Sequence, residues 1–278
     1  MSRDNVHRNF GGEAKPGNVA PYVLLTGSKD RVRAFASRWD TAQQVADHYE
    51  FLLCTGVYAG YPISACSTGI GGMSVSIAIE ELASLGANTF LRVGVTSPMV
   101  DELEYGELVI AKGAVRWDGT SQDYVRAEYP AVAHFEVVMA CISASEHLGY
   151  PYKIGVIADL ASLGPEREDG YRGFLGRRTR EMHRELYEAG VIDGTGEAAT
   201  MLVQSSIYGF RAGVVNVNSL DKVNHRWDPQ ADEKVIRVGL ETMRILAAWD
   251  QRKAARGVQY MVPEILPETE ASANPKVA

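Results

Sequence analysis

Short apolar runs alternate with amphipathic stretches from about residue 22 to about residue 257, and glycine or polar residues punctuate them. Continuous apolar runs suit buried strands, whereas apolar positions recurring at steps of three and four suit one face of a helix. On that rule Tyr22–Thr26 (YVLLT), Thr89–Val95 (TFLRVGV), Gly106–Trp117, Lys153–Ala158 (KIGVIA) and Ala212–Val217 (AGVVNV) are predicted strands. Phe51–Cys66 reads as two strands turning near Gly60. Predicted helices cover Lys29–Trp39, His134–Leu148, the charged Tyr171–Ala189, the apolar Glu197–Tyr208 and the long Ala231–Arg256. The clearest begins after Gly72, where Val75, Ala78, Ile79, Leu82 and Leu85 form one stripe and Gly86 supplies the stop. Such alternation predicts an α/β protein with helices covering a sheet.

Composition narrows the picture. At 278 residues and 46 % hydrophobic the chain has ample material for a large core, which excludes disorder for most of its length. A net charge of −7, with no basic cluster, excludes a nucleic-acid binder working by a positive surface. No apolar run approaches the roughly 18 residues of a membrane span, and the polar start Met1–Phe10 has no signal-peptide core. Cys54, Cys66 and Cys141 cannot all pair and lie in apolar or small-residue surroundings, so they read as reduced core thiols of a cytoplasmic protein. The Pro, Glu and Ala-rich end, Pro263–Ala278, is expected to be a flexible tail.

Two strand-to-helix turns could receive an anion, Gly27-Ser28-Lys29-Asp30-Arg31 and Gly69-Ile70-Gly71-Gly72, although a glycine-rich turn of this kind is more often plain turn chemistry. Neither is a nucleotide-binding GxGxxG or GxxxxGKS/T motif. Arg92 stands inside the apolar run Phe90–Val95, where a guanidinium costs several kcal/mol unless paired. It either meets an anion or forms a buried ion pair, for which the acidic residues at 101–107 are candidates. Glu197 heads an apolar helix, either as a functional carboxylate or as an acid favoured by the helix dipole. No Ser/His/Asp or Cys/His set and no GxSxG occurs, and the six histidines lack metal-ligand spacing, so no metal is predicted.

Taken together the segments resemble the nucleoside phosphorylase superfamily and, within it, the uridine phosphorylases. Ser67–Leu82 followed by Thr89–Gly94 carries the resemblance, supported by Gly27–Val32, Gly106–Ile110, Arg116–Ser121, Tyr129–Ala133, Gly164–Arg167, Gly190–Val191, Glu197–Thr200 and Phe210–Val215, in order from about residue 20 to 250. The resemblance implies a single-domain three-layer α/β/α fold with a twisted mixed central sheet, assembled as dimers or as hexamers built from dimers. It divides the chain into an N-terminal arm (1–20), the domain (21–260) and the tail (261–278). It implies reversible phosphorolysis of a nucleoside to free base and pentose 1-phosphate, with inorganic phosphate as co-substrate and no other cofactor. Gly27, Arg31, Arg92 and Thr96 would then hold phosphate; Glu197, Gly196 and His7 the ribose; and Arg167, Pro165 and Ser219 would face the base. Arg92, Glu197 and Arg167 would carry the catalysis.

Departures from the family pattern accompany the matches. Ser28 stands where bacterial enzymes have Asp, and Tyr49 where a neighbouring subunit lends an arginine to the phosphate. Val95 replaces a threonine, Pro165 a uracil-reading glutamine, Thr195-Gly196 a Glu-Met pair and Ser219 a base-pocket arginine, with Asp221 two residues on. These losses imply a roomier, less polar base site. Three readings stand: a phosphorylase with altered base preference, a nucleoside hydrolase using water, and a nucleoside-binding relative that does not turn its ligand over. Retention of Arg31 disfavours the hydrolase, and the thinned contacts motivate the third reading.

Overall fold

The computed structural model describes residues 8–10, 12, 14–100, 102–161, 177–219 and 229–261. Along them run β1 (Tyr22–Thr26), α1 (Lys29–Ala36), β2 (Thr41–His48), β3 (Phe51–Tyr58), β4 (Tyr61–Ser67), α2 (Gly72–Ser84), β5 (Thr89–Pro98), β6 (Leu108–Trp117) and α3 (Thr120–Tyr124). Then follow β7 (Ala131–Val132), α4 (Phe135–Leu148), β8 (Tyr152–Leu160), α5 (Arg177–Glu188), β9 (Asp193–Thr195), α6 (Ala198–Ile207), β10 (Arg211–Asn218) and α7 (Pro229–Arg256). The α/β alternation read from the sequence is present, and the strands form one mixed sheet.

Strands β4, β1, β5 and β10 lie side by side and parallel. Beyond β4 the sheet continues antiparallel through β3 to the edge strand β2. On the other side β10 pairs antiparallel with β6, β6 parallel with β8, and β8 parallel with β9, while β9 returns to the C-terminal end of β5. Five strands, β5, β10, β6, β8 and β9, thus close a ring, and β1, β4, β3 and β2 extend from it as an open wing.

Successive side chains of a strand point to opposite faces, so strands buried on both sides read as continuous apolar runs. Leu24 of β1 and Leu91 and Val93 of β5 pack under α1, α4 and α7, against Val32, Phe35, Val137 and Leu246. Val23, Leu25 and Phe90 pack on the other side, against Val75, Ile79 and Leu82 of α2 and Met201 and Val203 of α6. These two cores make the three layers that the resemblance implies. Arg92, two residues after Phe90, is directed to the α2 and α6 side. That places its charge where α6 begins.

Candidate active site

The parallel strands end along one edge of the sheet, the position at which open α/β sheets carry their ligand sites. There β1 passes through Gly27 and Ser28 into α1, and the Ser28 hydroxyl caps the helix by accepting from the Asp30 N–H at 3.1 Å. An acceptor at this position is what the helix start needs, and serine supplies it as well as aspartate. A Cβ on Gly27 would stand 3.2 Å from the Gly69 carbonyl oxygen, so glycine lets the two glycine turns abut. Arg31, one turn into α1, is buried; its guanidinium donates to Thr26 Oγ1 at 2.6 Å and to Asp232 of α7 at 2.9 and 2.6 Å.

Arg92 of β5 is also buried, and its Nη2 forms an ion pair with Glu197 while Nη1 donates to Asn216 Oδ1 of β10 at 3.1 Å. The partner is therefore Glu197; of the described acids in the 101–107 segment, Glu107 lies 3.6 Å from Lys153 and accepts from the Glu104 N–H at 2.9 Å. The two residues that sequence reasoning singled out separately form a single feature. Glu197 Oε1 also accepts from the Gly71 N–H at 3.1 Å, which ties the second glycine turn to the pair.

Glu197 occupies the N-cap position of α6 but makes no side-chain cap bond. The cap comes from Asp159 at the end of β8, which accepts from the N–H groups of Ala198 and Ala199 at 3.0 and 2.7 Å and from the Thr195 hydroxyl. A second carboxylate, Asp118, takes the Thr200 hydroxyl and the N–H and hydroxyl of Ser121, at 2.7 and 2.6 Å. With its backbone amides satisfied by Asp159, the helix leaves the Glu197 carboxylate for Arg92 and Gly71. A buried cation and a buried anion thus stand in contact, an arrangement able to receive an anion on one side and hydroxyl groups on the other.

This geometry is matched by similarity along the chain. Residues 21–237 fit the pattern of the phosphorylase superfamily. The chain belongs to that superfamily. A uridine phosphorylase of Thermococcus kodakarensis is 45 % identical over 251 residues, covering 90 % of each chain. The Escherichia coli uridine phosphorylase is 35 % identical over 234 residues, 82 % of this chain and 92 % of that one. A guanosine phosphorylase of Halorubrum lacusprofundi is 30 % identical over 199 residues, 72 % of this chain and 78 % of that one. The resemblance to uridine phosphorylases drawn from the motifs is thereby met.

Of the remaining expected site residues of this superfamily member, Thr96 lies on β5 beyond Arg92 and donates to the Gly194 carbonyl oxygen at 3.1 Å. Gly196 directs its N–H toward Glu197 at 3.4 Å, and Ser219 is buried just past β10. His7, Pro165 and Arg167 lie outside the described residues. Sequence reasoning missed Asp159, Asp193, Asn216 and Asp232. The signal for the first was like that for Arg92, a charged residue set in an apolar run (IGVIADL). Among the described residues no group of three or more His, Cys, Asp or Glu is placed to hold a metal ion, and no helix is long and apolar enough to cross a membrane.

Burial pushes the Asp159 and Asp193 carboxyls up to about 7. The neighbouring carboxylates of Glu197 and Asp118 add to this at Asp159, and that of Asp159 adds to it at Asp193; hydrogen bonds from Thr195 and Asn216, and the Arg92 charge near Asp193, oppose it. From about pH 4 to about pH 7 these two groups bind more protons in the folded chain than in the unfolded one, so their contribution to stability falls as pH rises through that window. His134, whose pKa burial lowers, acts in the opposite sense, as one group against two. Thermal unfolding is expected to occur a few degrees higher at pH 6 than at pH 8, and Asp193→Asn is expected to shrink the difference. An unfolding temperature independent of pH over that range in the parent would contradict this.

Proposed function

We propose that the protein is a nucleoside phosphorylase of the uridine-phosphorylase type, a pentosyltransferase that uses inorganic phosphate to cleave the N-glycosidic bond reversibly. The observation that carries the proposal is the buried contact between Arg92 and Glu197. Phosphorolysis passes through an oxocarbenium-like sugar, so a site must hold the phosphate oxygens beneath C1′ while gripping the ribose hydroxyls. A guanidinium fork suits the first task and a carboxylate acceptor the second. On this reading Gly27, Arg31, Arg92 and Thr96 bind phosphate, Glu197 with Gly196 and His7 binds the ribose, and Arg167, Pro165 and Ser219 border the base. Loss of polar groups at 165 and 219, and of the methionine wall at 196, supports a base preference shifted from that of the uridine enzymes. The working unit is the 21–260 domain, with the arm 1–20 and the tail 261–278, self-associated as a dimer or as a hexamer built from dimers. Buried, unpaired thiols at Cys54, Cys66 and Cys141 accord with a reducing cytoplasm.

A second reading, a nucleoside-binding relative without turnover, draws on the carboxylate partner that each phosphate-site arginine already has. One experiment separates the two and also covers hydrolysis: incubation with purine and pyrimidine nucleosides, with and without phosphate, and identification of the products. Base and pentose 1-phosphate are expected only with phosphate, at about 1 per second or faster for the preferred nucleoside. Equal base release without phosphate would establish a hydrolase, and no turnover of any nucleoside would establish the binding relative.

A further inference from the structure

The guanidinium of Arg92 is placed by residues that have no part in the reading so far. Gly94 follows Arg92 by two positions and so shares its face of β5. A Cβ built on Gly94 would lie 1.9 Å from Arg92 Nη1 and 2.8 Å from Asn216 Oδ1. The side chain therefore folds along its own strand, over a glycine, toward the neighbouring strand β10, where Asn216 stands beside Gly94 in register. There Nη1 donates to Asn216 Oδ1 at 3.1 Å.

An asparagine amide has an acceptor end and a donor end, and the reversed amide would point N–H groups at the cation. What prevents reversal is Asp193 of β9: its Oδ2 accepts from Asn216 Nδ2 at 2.8 Å. Asp193 is fully buried, and its other oxygen has no hydrogen-bond partner. A buried carboxylate with an unpartnered oxygen is a poor choice for holding strands together, since a neutral or apolar side chain avoids the desolvation cost. Its bond to another side chain goes to the amide that faces Arg92.

We propose that Asp193 and Asn216 are positioning residues for Arg92: Asp193 fixes the sense of the Asn216 amide, and that amide fixes Nη1, which leaves the other edge of the guanidinium for Glu197 and for phosphate. The proposal rests on the reading of Arg92 as a phosphate ligand. It deepens that reading by tracing phosphate affinity to β9 and β10.

Steady-state kinetics at varied phosphate and varied nucleoside test it in four proteins: Asn216→Leu, Asp193→Asn, the exchange that combines Asp193→Asn with Asn216→Asp, and Arg92→Ala. Asn216→Leu removes an uncharged acceptor from a cation and is expected to raise the phosphate KM about tenfold, with the nucleoside KM little changed. Asp193→Asn leaves the amide free to reverse and is expected to raise it severalfold. In the exchange, the carboxylate now at position 216 would accept both from Nη1 and from the amide now at position 193, which keeps the guanidinium placed but competes for its charge as Glu197 does; the phosphate KM is expected to stay raised, with the nucleoside KM near the parental value. Should Asn216→Leu fail to fold, the smaller Asn216→Ser carries the same expectation.

A purely structural role would lower the unfolding temperature and leave the phosphate KM alone. Impaired phosphate use in Arg92→Ala together with a parental phosphate KM in the position-216 variant overturns the positioning proposal alone. A parental phosphate KM in Arg92→Ala overturns the underlying reading as well.

Discussion

Arg92→Ala is expected to reduce kcat/KM for phosphate by about a hundred- to ten-thousandfold, because two charge-assisted contacts of about 1.5–3 kcal/mol each are lost together. The fold should weaken at the same time. Truncation leaves the Glu197 carboxylate buried without its counter-ion, a situation that costs about 3–5 kcal/mol in buried pairs. Arg92→Lys keeps the charge but not the planar fork that serves Glu197 and Asn216 together, so it should fall between the two. Phosphate titrations of initial rate at saturating nucleoside, with thermal melts of the same preparations, give both numbers. Native phosphate kinetics in the alanine variant would remove Arg92 from the phosphate site.

Glu197→Gln is expected to move two quantities in opposite directions. The glutamine is nearly isosteric and can still accept from the Gly71 N–H, but it no longer neutralises Arg92. Phosphate should therefore bind the variant at least as tightly as the parent when no nucleoside is present. Turnover should fall about ten- to a hundredfold or more, since the ribose hydroxyls lose an ionised acceptor, a loss of about 1.5–3 kcal/mol. Calorimetric titration of phosphate and kcat/KM for the nucleoside report the two effects separately. A parallel loss of both would mean that Glu197 supports the phosphate site directly instead of competing for its cation.

The major elements were legible because the parallel strands are buried on both faces and the helices carry a continuous apolar stripe, as at Val75, Ile79 and Leu82. The edge strand β2 was not. Among the described residues Thr41–His48 pairs with β3 alone and is largely exposed, so it needs no apolar alternation to advertise it. Strand β9 and helix α3 span three and five residues, too short for any periodicity, and are held by tertiary contacts. At the site, Arg92 and Glu197 stood out as isolated charges in apolar surroundings, yet a separation of 105 residues along the chain hid their partnership. Local capping rules find the start of α6 but miss its cap, because the accepting side chain is Asp159, brought from strand β8. Arg116 shows the same limit. It sits in a motif shared with the family, but only the fold reveals that it donates to the carbonyl oxygens of Ser121, Val125, Arg126 and Tyr129, stitching down the turn that carries Asp118.

Arg31 and Arg92 each rest on a carboxylate of the chain itself, Asp232 and Glu197. On the proposed reading those acids act as a filter. Chloride, the abundant small anion of most solutions, carries no more charge than the carboxylate it would displace, and it must also give up its freedom in solution to enter. A phosphate dianion brings twice the charge and several acceptor oxygens, enough to engage both arginines. Selection among anions would then lie in the strength of two internal competitors, so that a protein of net charge −7 keeps its cations covered until the right multivalent guest arrives.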